Sequence, residues 1–297
     1  MFIKVPASTA NLGPGFDSFG LAIAKYMNIE VSQYEKWEVR YKEKEFHELA
    51  TNEENFIIKT VQEIAEKEGI EIPSLLLEIT SDIPLTRGLG SSASAIVAAI
   101  EIVSHFAENS FSKEKKLLHA YHYENHIDNI GATIFGGFVV GAVVNETPYC
   151  KQLPFPECDI VAVIPSYELA TIDARRVLPE KFDRQTAVLG SNVANTLLAS
   201  LVKEDWETAG EMMMSDCFHQ PYRASLIPEY QYLYEKRKEL GVYGVVISGA
   251  GPTVLLFCEK GKGERIVPIL NEIIQEAQIE IVNIAKSGVE KSLTKIW

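Results

Sequence analysis

Cysteine is scarce in this chain. Its four residues, Cys150, Cys158, Cys217 and Cys258, stand far apart with no Cys-x-x-Cys pair, which excludes a zinc framework and a dense disulfide scaffold. Long apolar runs are missing too. The longest, near residues 95–100 and 138–144, reach about ten residues at most, against the ~20 that a membrane-spanning helix needs. Positive charge is in short supply: 28 Lys and Arg face 41 Asp and Glu, a net charge of −13. Nucleic acid and anionic membrane surfaces are therefore poor partners, and an anionic ligand would need a local site of backbone N–H groups, a metal ion or a few placed Arg residues. The opening Met1-Phe2-Ile3-Lys4-Val5-Pro6 holds no apolar signal core. These absences predict a cytoplasmic protein with reduced thiols.

What is present is a globular composition, 46% hydrophobic and 23% charged over 297 residues, long enough for two domains at roughly 150 residues each. Residues 75–80, 137–144, 159–164, 244–247 and 253–258 read as strands. Apolar residues at helical spacing from Phe56 to Ala65, stopped by Gly69, read as a helix. So do residues 94–106, 186–203, 230–240 and 266–277, the first of these apolar on most faces and hence buried. This mixed order predicts an α+β fold rather than a strict βαβ wind. Prolines between Tyr149 and Asp159 suggest a boundary that divides the chain into 1–153 and 154–297.

Three glycine-rich segments stand out: Pro6-Ala-Ser-Thr-Ala-Asn11-Leu-Gly13-Pro-Gly15-Phe-Asp17-Ser-Phe-Gly20, Pro84-Leu85-Thr-Arg87-Gly88-Leu89-Gly90-Ser91-Ser92-Ala93-Ser94, and Ser248-Gly249-Ala-Gly251-Pro-Thr253. In the second, Gly88 and Gly90 permit positive φ, the serines are good helix N-caps, and an apolar helix follows at once. A glycine turn feeding a helix N-terminus is an anion site; the plainer alternative is a tight loop with an ordinary serine cap. A Walker A loop is absent, because the chain's Gly-Lys, Gly261-Lys262, is followed by glycine. Gly88 to Ala93 satisfies G-x-G-x-x-A, but loop residues separate it from the preceding strand and no acidic residue closes a second strand about 20 residues on. The third segment joins two strands, as a hairpin turn would.

Together these segments resemble the GHMP kinases. P-x-x-x-G-L-G-S-S-A-S resembles their ATP loop, P-A-S-T-A-N-L-G-P-G-F-D their first motif in its homoserine-phosphorylating form, and I-S-G-A-G-P-T their third. His126-Ile-Asp128-Asn129 with Phe135-Gly136-Gly137, Thr171 to Pro179, and His219-Gln-Pro-Tyr-Arg223 with Ile227-Pro228 resemble further segments of the same branch. The chain departs from the E-G-H-P-D-N form at Asn125 and Ile127.

The resemblance implies a two-domain α+β fold. An N-terminal domain like the second domain of ribosomal protein S5 would bind ATP, and a ferredoxin-like C-terminal domain would contribute substrate-binding residues. It implies phosphorylation of L-homoserine to O-phospho-L-homoserine in threonine biosynthesis, with ATP and Mg²⁺ as cofactors, in a cytoplasmic homodimer. ATP would lie along Pro84, Leu85, Arg87, Gly88, Leu89, Gly90, Ser91, Ser92, Ala93 and Ser94, with Asn55 near the adenine and Mg²⁺ on Ser92 and Glu124. Asn11, Asp17, His126, Asn129, Thr171, Arg175, Arg223 and Gly249 would hold the substrate, the arginines its carboxylate. Ser92, Glu124, Asn129 and Asp128 are the implied catalytic residues. The identity of a general base stays open: Asn129 stands where mevalonate kinases have Asp and cannot take a proton, and Asp128 is its neighbour. Direct attack of the hydroxyl is the favoured reading, since a loose transition state needs little base help. A kinase of mevalonate-type acids or sugars and a non-catalytic sensor are the competing readings.

Overall fold

The computed structural model describes residues 1–294. One sheet has seven strands: β1 (Phe2–Ala10), β2 (Phe19–Gln33), β3 (Glu38–Tyr41), β4 (Leu75–Ser81), β5 (Phe138–Val144), β6 (Thr147–Leu153) and, from the far end of the chain, β11 (Glu290–Ser292). The other has four: β7 (Asp159–Pro165), β8 (Gly244–Ile247), β9 (Val254–Cys258) and β10 (Ala277–Val282).

β2 organises the first sheet. It is 15 residues long and pairs antiparallel with β1 from Gly20 to Glu30 along one edge. Along the other edge its second half pairs with β4 and its first three residues with β5. Four helices accompany this sheet: α1 (Phe56–Glu68), α2 (Ser91–Phe106), α3 (Lys113–Tyr121) and α4 (Asp128–Phe135). Every residue of α2 from Ala93 to Ser104 is buried, which is why that stretch is apolar on nearly every face.

The second sheet runs in the order β10-β7-β9-β8, antiparallel throughout. With α5 (Thr171–Arg176), α6 (Arg184–Val202), α7 (Trp206–Met214), α8 (Gln220–Arg223) and α9 (Pro228–Leu240) before β8 and α10 (Gly263–Ile273) before β10, this is the β-α-β-β-α-β arrangement of a ferredoxin-like unit. The expected α+β architecture is what the chain adopts. β7 shows the period-2 logic of a strand covered on both sides. Ile160, Ala162 and Ile164 join a core that runs continuously from the first sheet. Val161 and Val163 join a second core shared with Val245, Ile247, Val254 and Leu256.

Two sequence expectations need correction. The helix expected over residues 266–277 ends at Ile273, and Ala277 opens β10. Ile274 is already extended, and the next residues pair with β7 from Ala277 opposite Pro165, so the sheet overrides the apolar periodicity. The buried helix expected from Ser94 begins at Ser91, and its N-cap is Gly90 rather than a serine. The first glycine-rich segment spans the end of β1, a turn over residues 11–18 and the start of β2.

Candidate active site

At Gly90, φ is +71° and no side chain caps the helix. A methyl group here would lie 2.1 Å from Ser8 Oγ, so only glycine fits. The Ser94 hydroxyl, a candidate cap in the sequence, instead donates to the carbonyls of Gly90 and Pro6 at 3.0 and 3.1 Å. The first amides of α2 are thus left without a side-chain acceptor, and the positive end of a buried helix faces a cavity.

That cavity measures about 640 Å³ and is lined by Gly88, Gly90, Ser91 and Ser92 of the loop and by Ala10, Asn11 and Asp17 of the turn after β1. Tyr123, Glu124, Asn125, His126, Asp128 and Asn129 around the start of α4, with Leu169, Thr171, Arg175, Arg223, Gly249 and Ala250 from the second half of the chain, complete it together with Thr86. Backbone ties lock these segments. Ser248 Oγ donates to Gly88 O at 2.6 Å and the Gly249 amide to Ala10 O at 3.2 Å. Asn11 Nδ2 donates to Gly249 O at 3.0 Å, while its Oδ1 accepts from the Asp17 amide at 3.0 Å. A second, mostly apolar cavity of about 440 Å³ adjoins through the shared Ser91 and Ser92, and Tyr41, Phe46, Leu49, Asn55 and Leu85 line it.

Arg223 is buried. Its Nη1 donates to Gly249 O at 2.8 Å and contacts His219 Nδ1 at 3.2 Å, and its Nε donates to Ala174 O at 3.2 Å. Burial and the nearby Arg175 bring its pKa down to about 10, so it remains a cation at neutral pH. Arg175 pairs with Asp17 at 3.1 Å. His219, fully buried, donates from Nε2 to Gly13 O at 2.9 Å. Burial pushes its pKa well below the ordinary value despite Asp216 nearby, and its two contacts define the neutral Nε2–H tautomer.

Burial raises the Glu124 carboxyl above its ordinary range, against the pull of His126 and a hydrogen bond from Ser92. Burial works against the charged form of His126, but its Asp128 contact, 3.0 Å from Nδ1 to Oδ1, prevails and lifts it to about 9. His126 is therefore an imidazolium among acids. Asp17, His126 and Asp128 bring ligand-type atoms within 4.8 Å of one another, and the imidazolium already supplies the positive charge in that group. Asp128 Oδ1 also accepts from the Asn129 amide at 2.6 Å.

Of the residues singled out in the sequence, the structure gathers Asn11, Asp17, Gly88, Gly90, Ser91, Ser92, Glu124, His126, Asp128, Asn129, Thr171, Arg175, Arg223 and Gly249 around the larger cavity, and Asn55 and Leu85 around the smaller. Leu89, Ala93 and Ser94 are buried in the core instead. Pro84 lines neither cavity. Arg87 turns away, giving its donors to the carbonyls of Leu85, Pro165 and Ser166 and to Glu168. It braces the loop against the end of β7. Sequence reasoning missed Tyr123 and most of the apolar cavity's walls, Tyr41, Phe46 and Leu49 among them. Tyr41 and Phe46 stack with ring centroids 5.7 Å apart, and nothing in their spacing distinguishes them from ordinary core aromatics.

A glycine loop feeding an uncapped buried helix, on this pair of sheets, defines the class. The family profile "GHMP kinases N terminal domain" matches residues 55–137, and "GHMP kinases C terminal" matches residues 197–274. The homoserine kinase of Staphylococcus epidermidis is 42% identical over 292 residues, covering 97% of this chain and 95% of its own. That of Bacillus pumilus is 40% identical over 287 residues, covering 97% and 93%. The crystal structure of homoserine kinase from Cytophaga hutchinsonii superposes with a TM-score of 0.84 at 25% identity, covering 98% of this chain and 96% of that one. The chain belongs to the GHMP kinases and, within them, to the homoserine kinase family.

Proposed function

We propose that this chain transfers the γ-phosphoryl group of ATP to the side-chain hydroxyl of L-homoserine, giving O-phospho-L-homoserine for threonine biosynthesis. The observation that carries this reading is a single cavity with uncapped helix amides on one side and the Arg175–Asp17 pair beside Arg223 on the other. An ion pair beside a buried guanidinium matches a zwitterion: the arginines take the α-carboxylate and Asp17 the ammonium. A sugar offers neither charge, and a mevalonate-type acid offers only one. Thr171 and Gly249 flank this end, and His126 and Asn129 face the hydroxyl. Residues 1–153 supply the nucleotide loop, and residues 154–297 supply the arginines.

The triphosphate lies along Gly88 to Ser92, where free amides and the helix end stabilise its charge. The adenine occupies the apolar cavity beside Tyr41 and Leu85. Asn55 shapes that wall, donating to Tyr41 Oη at 2.8 Å and to Ala50 O at 2.6 Å while capping α1. The donor set also fits Mg²⁺. Ser92 and Glu124 are hard oxygen ligands, and Glu124 is a half-buried carboxylate whose neighbouring His126 nitrogen is 3.9 Å away. Bound there, the ion would neutralise charge on the transferring phosphoryl group. Asp128 Oδ1 is already occupied by His126 and the Asn129 amide. This supports direct attack by the hydroxyl, its proton passing to phosphate or solvent. Among the described residues no helix is long and apolar enough to cross a membrane. A cytoplasmic homodimer completes the proposal, supported by the exposed Ile172, Val188 and Leu189 on α5 and α6 and tested by sedimentation.

The direct test is ADP release with L-homoserine, L-serine, mevalonate, galactose or no acceptor. Release that depends on L-homoserine and Mg²⁺ is expected. Turnover of another acceptor with none of L-homoserine would overturn the assignment.

A further inference from the structure

We infer that Ser8, which lies behind the cavity wall, is a positioning residue that holds the Asn129 carboxamide with its NH₂ group toward the acceptor. The inference rests on the phosphoryl-transfer reading above and adds to it how the acceptor end and the nucleotide loop are held in register.

Ser8 is fully buried in β1 and does not line the cavity. Its hydroxyl sits 2.9 Å from Asn129 Oδ1 as donor, and it accepts from Thr133 Oγ1 at 3.4 Å. A hydroxyl has one proton to give. With Thr133 donating to it, that proton goes to Asn129, and Asn129 Oδ1 is therefore the end turned inward. The other face of Asn129 agrees. Its Nδ2 lies 3.4 Å from Asp128 Oδ1; the flipped amide would set its oxygen against that carboxylate. Asn129 thus presents a donor, not an acceptor, to the cavity. A donor suits this place, because negative charge develops on the transferring phosphoryl oxygens.

Ser8 also touches the nucleotide loop. Its amide donates to Leu89 O at 3.2 Å. A methyl at Gly90 would come within 2.1 Å of its hydroxyl and 3.2 Å of Asn129 Oδ1. One small residue, through its amide and its hydroxyl, therefore joins β1, the loop that cradles the phosphates and the first turn of α4. A residue without a donor would free the amide to rotate.

The test is a double-mutant cycle on the full chain: wild type, Ser8→Ala, Asn129→Ala and the double variant, with Ser8→Thr as the conservative control. Ser8→Ala is expected to lower kcat about tenfold or more, with ADP affinity by calorimetry and the melting temperature near those of wild type. In the Asn129→Ala background the same change should cost nothing further, since the partner is gone. Ser8→Thr, which keeps the hydroxyl, should recover most of kcat. If Ser8→Ala does not fold, Ser8→Cys, close in size and a weak donor, is read in the same way. Wild-type kcat in Ser8→Ala, or an equal loss with and without Asn129, would overturn the inference. Absence of L-homoserine turnover in the wild type would instead overturn the functional reading, and the inference with it.

Discussion

His219 is neutral in the folded protein and carries no solvent contact, yet it holds the back of Arg223. Its pH behaviour follows from that. The unfolded chain takes up this proton near the ordinary imidazole value of about 6.5, whereas the folded chain takes it up only at lower pH. Between those points the unfolded state binds more protons, so stability falls as pH falls. Gln offers a comparable donor without a titratable ring. The melting temperature of wild type minus that of His219→Gln should decline on going from about pH 7 to about pH 5. A difference that stays constant would show that the imidazole is protonated in place. At this scale the sequence was informative about where residues gather and uninformative about what their atoms do. Asn11 was expected at the substrate from the resemblance of its motif, and both ends of its amide are bound to the chain itself, at Gly249 and Asp17. Arg87, expected along the ATP loop, gives its donors to the carbonyls of Leu85, Pro165 and Ser166 and to Glu168. Such assignments depend on side-chain direction, which residue spacing does not carry.

α2 shows what its first residue decides. With Gly90 at the cap, the helix end stays open to a ligand; with a serine there, the helix would cap itself. Gly90→Ala should therefore damage two properties together. The strained φ and the clash with Ser8 should cost about 1–3 kcal/mol of stability in denaturant unfolding, and ADP affinity should fall in calorimetry. Loss of stability with wild-type ADP affinity would count against this helix end as the phosphate site. Elements with largely apolar sequence, such as α2, β4 and β7, were legible, whereas β1 and β2 were not read as strands. The end of α10 was not legible either. Ile273, Ile274 and Ala277 continue a helical pattern, and only pairing with β7 turns the last of them into strand, a long-range contact that no local window contains.

At the scale of the molecule, the chain returns to where it began. After β10, the Ala285 amide donates to Ala22 O and the Ala285 carbonyl accepts from the Gly137 amide, Gly288 packs against the carbonyl of Ile134, and β11 pairs with β1. Nothing in Glu290-Lys291-Ser292 announces a strand, so this closure was invisible in the sequence. None of residues 283–292 lines the larger cavity, yet they bear on α4, which begins there. A methyl on Gly288 would meet Ile134 O at 2.2 Å. Gly288→Ala should cost about 1–3 kcal/mol as an overpacked contact and raise KM for L-homoserine more than KM for ATP. Unchanged stability and KM would show that the tail gives way freely. The same closure has a consequence for how the protein is made. A ribosome releases the first strand long before the last, at about 5–20 residues per second. Through all that time the outer edge of β1 has no neighbour, and an unpaired edge invites pairing with other chains. The outer edge of β1 therefore stays open until residues 290–292 have emerged and folded back onto it.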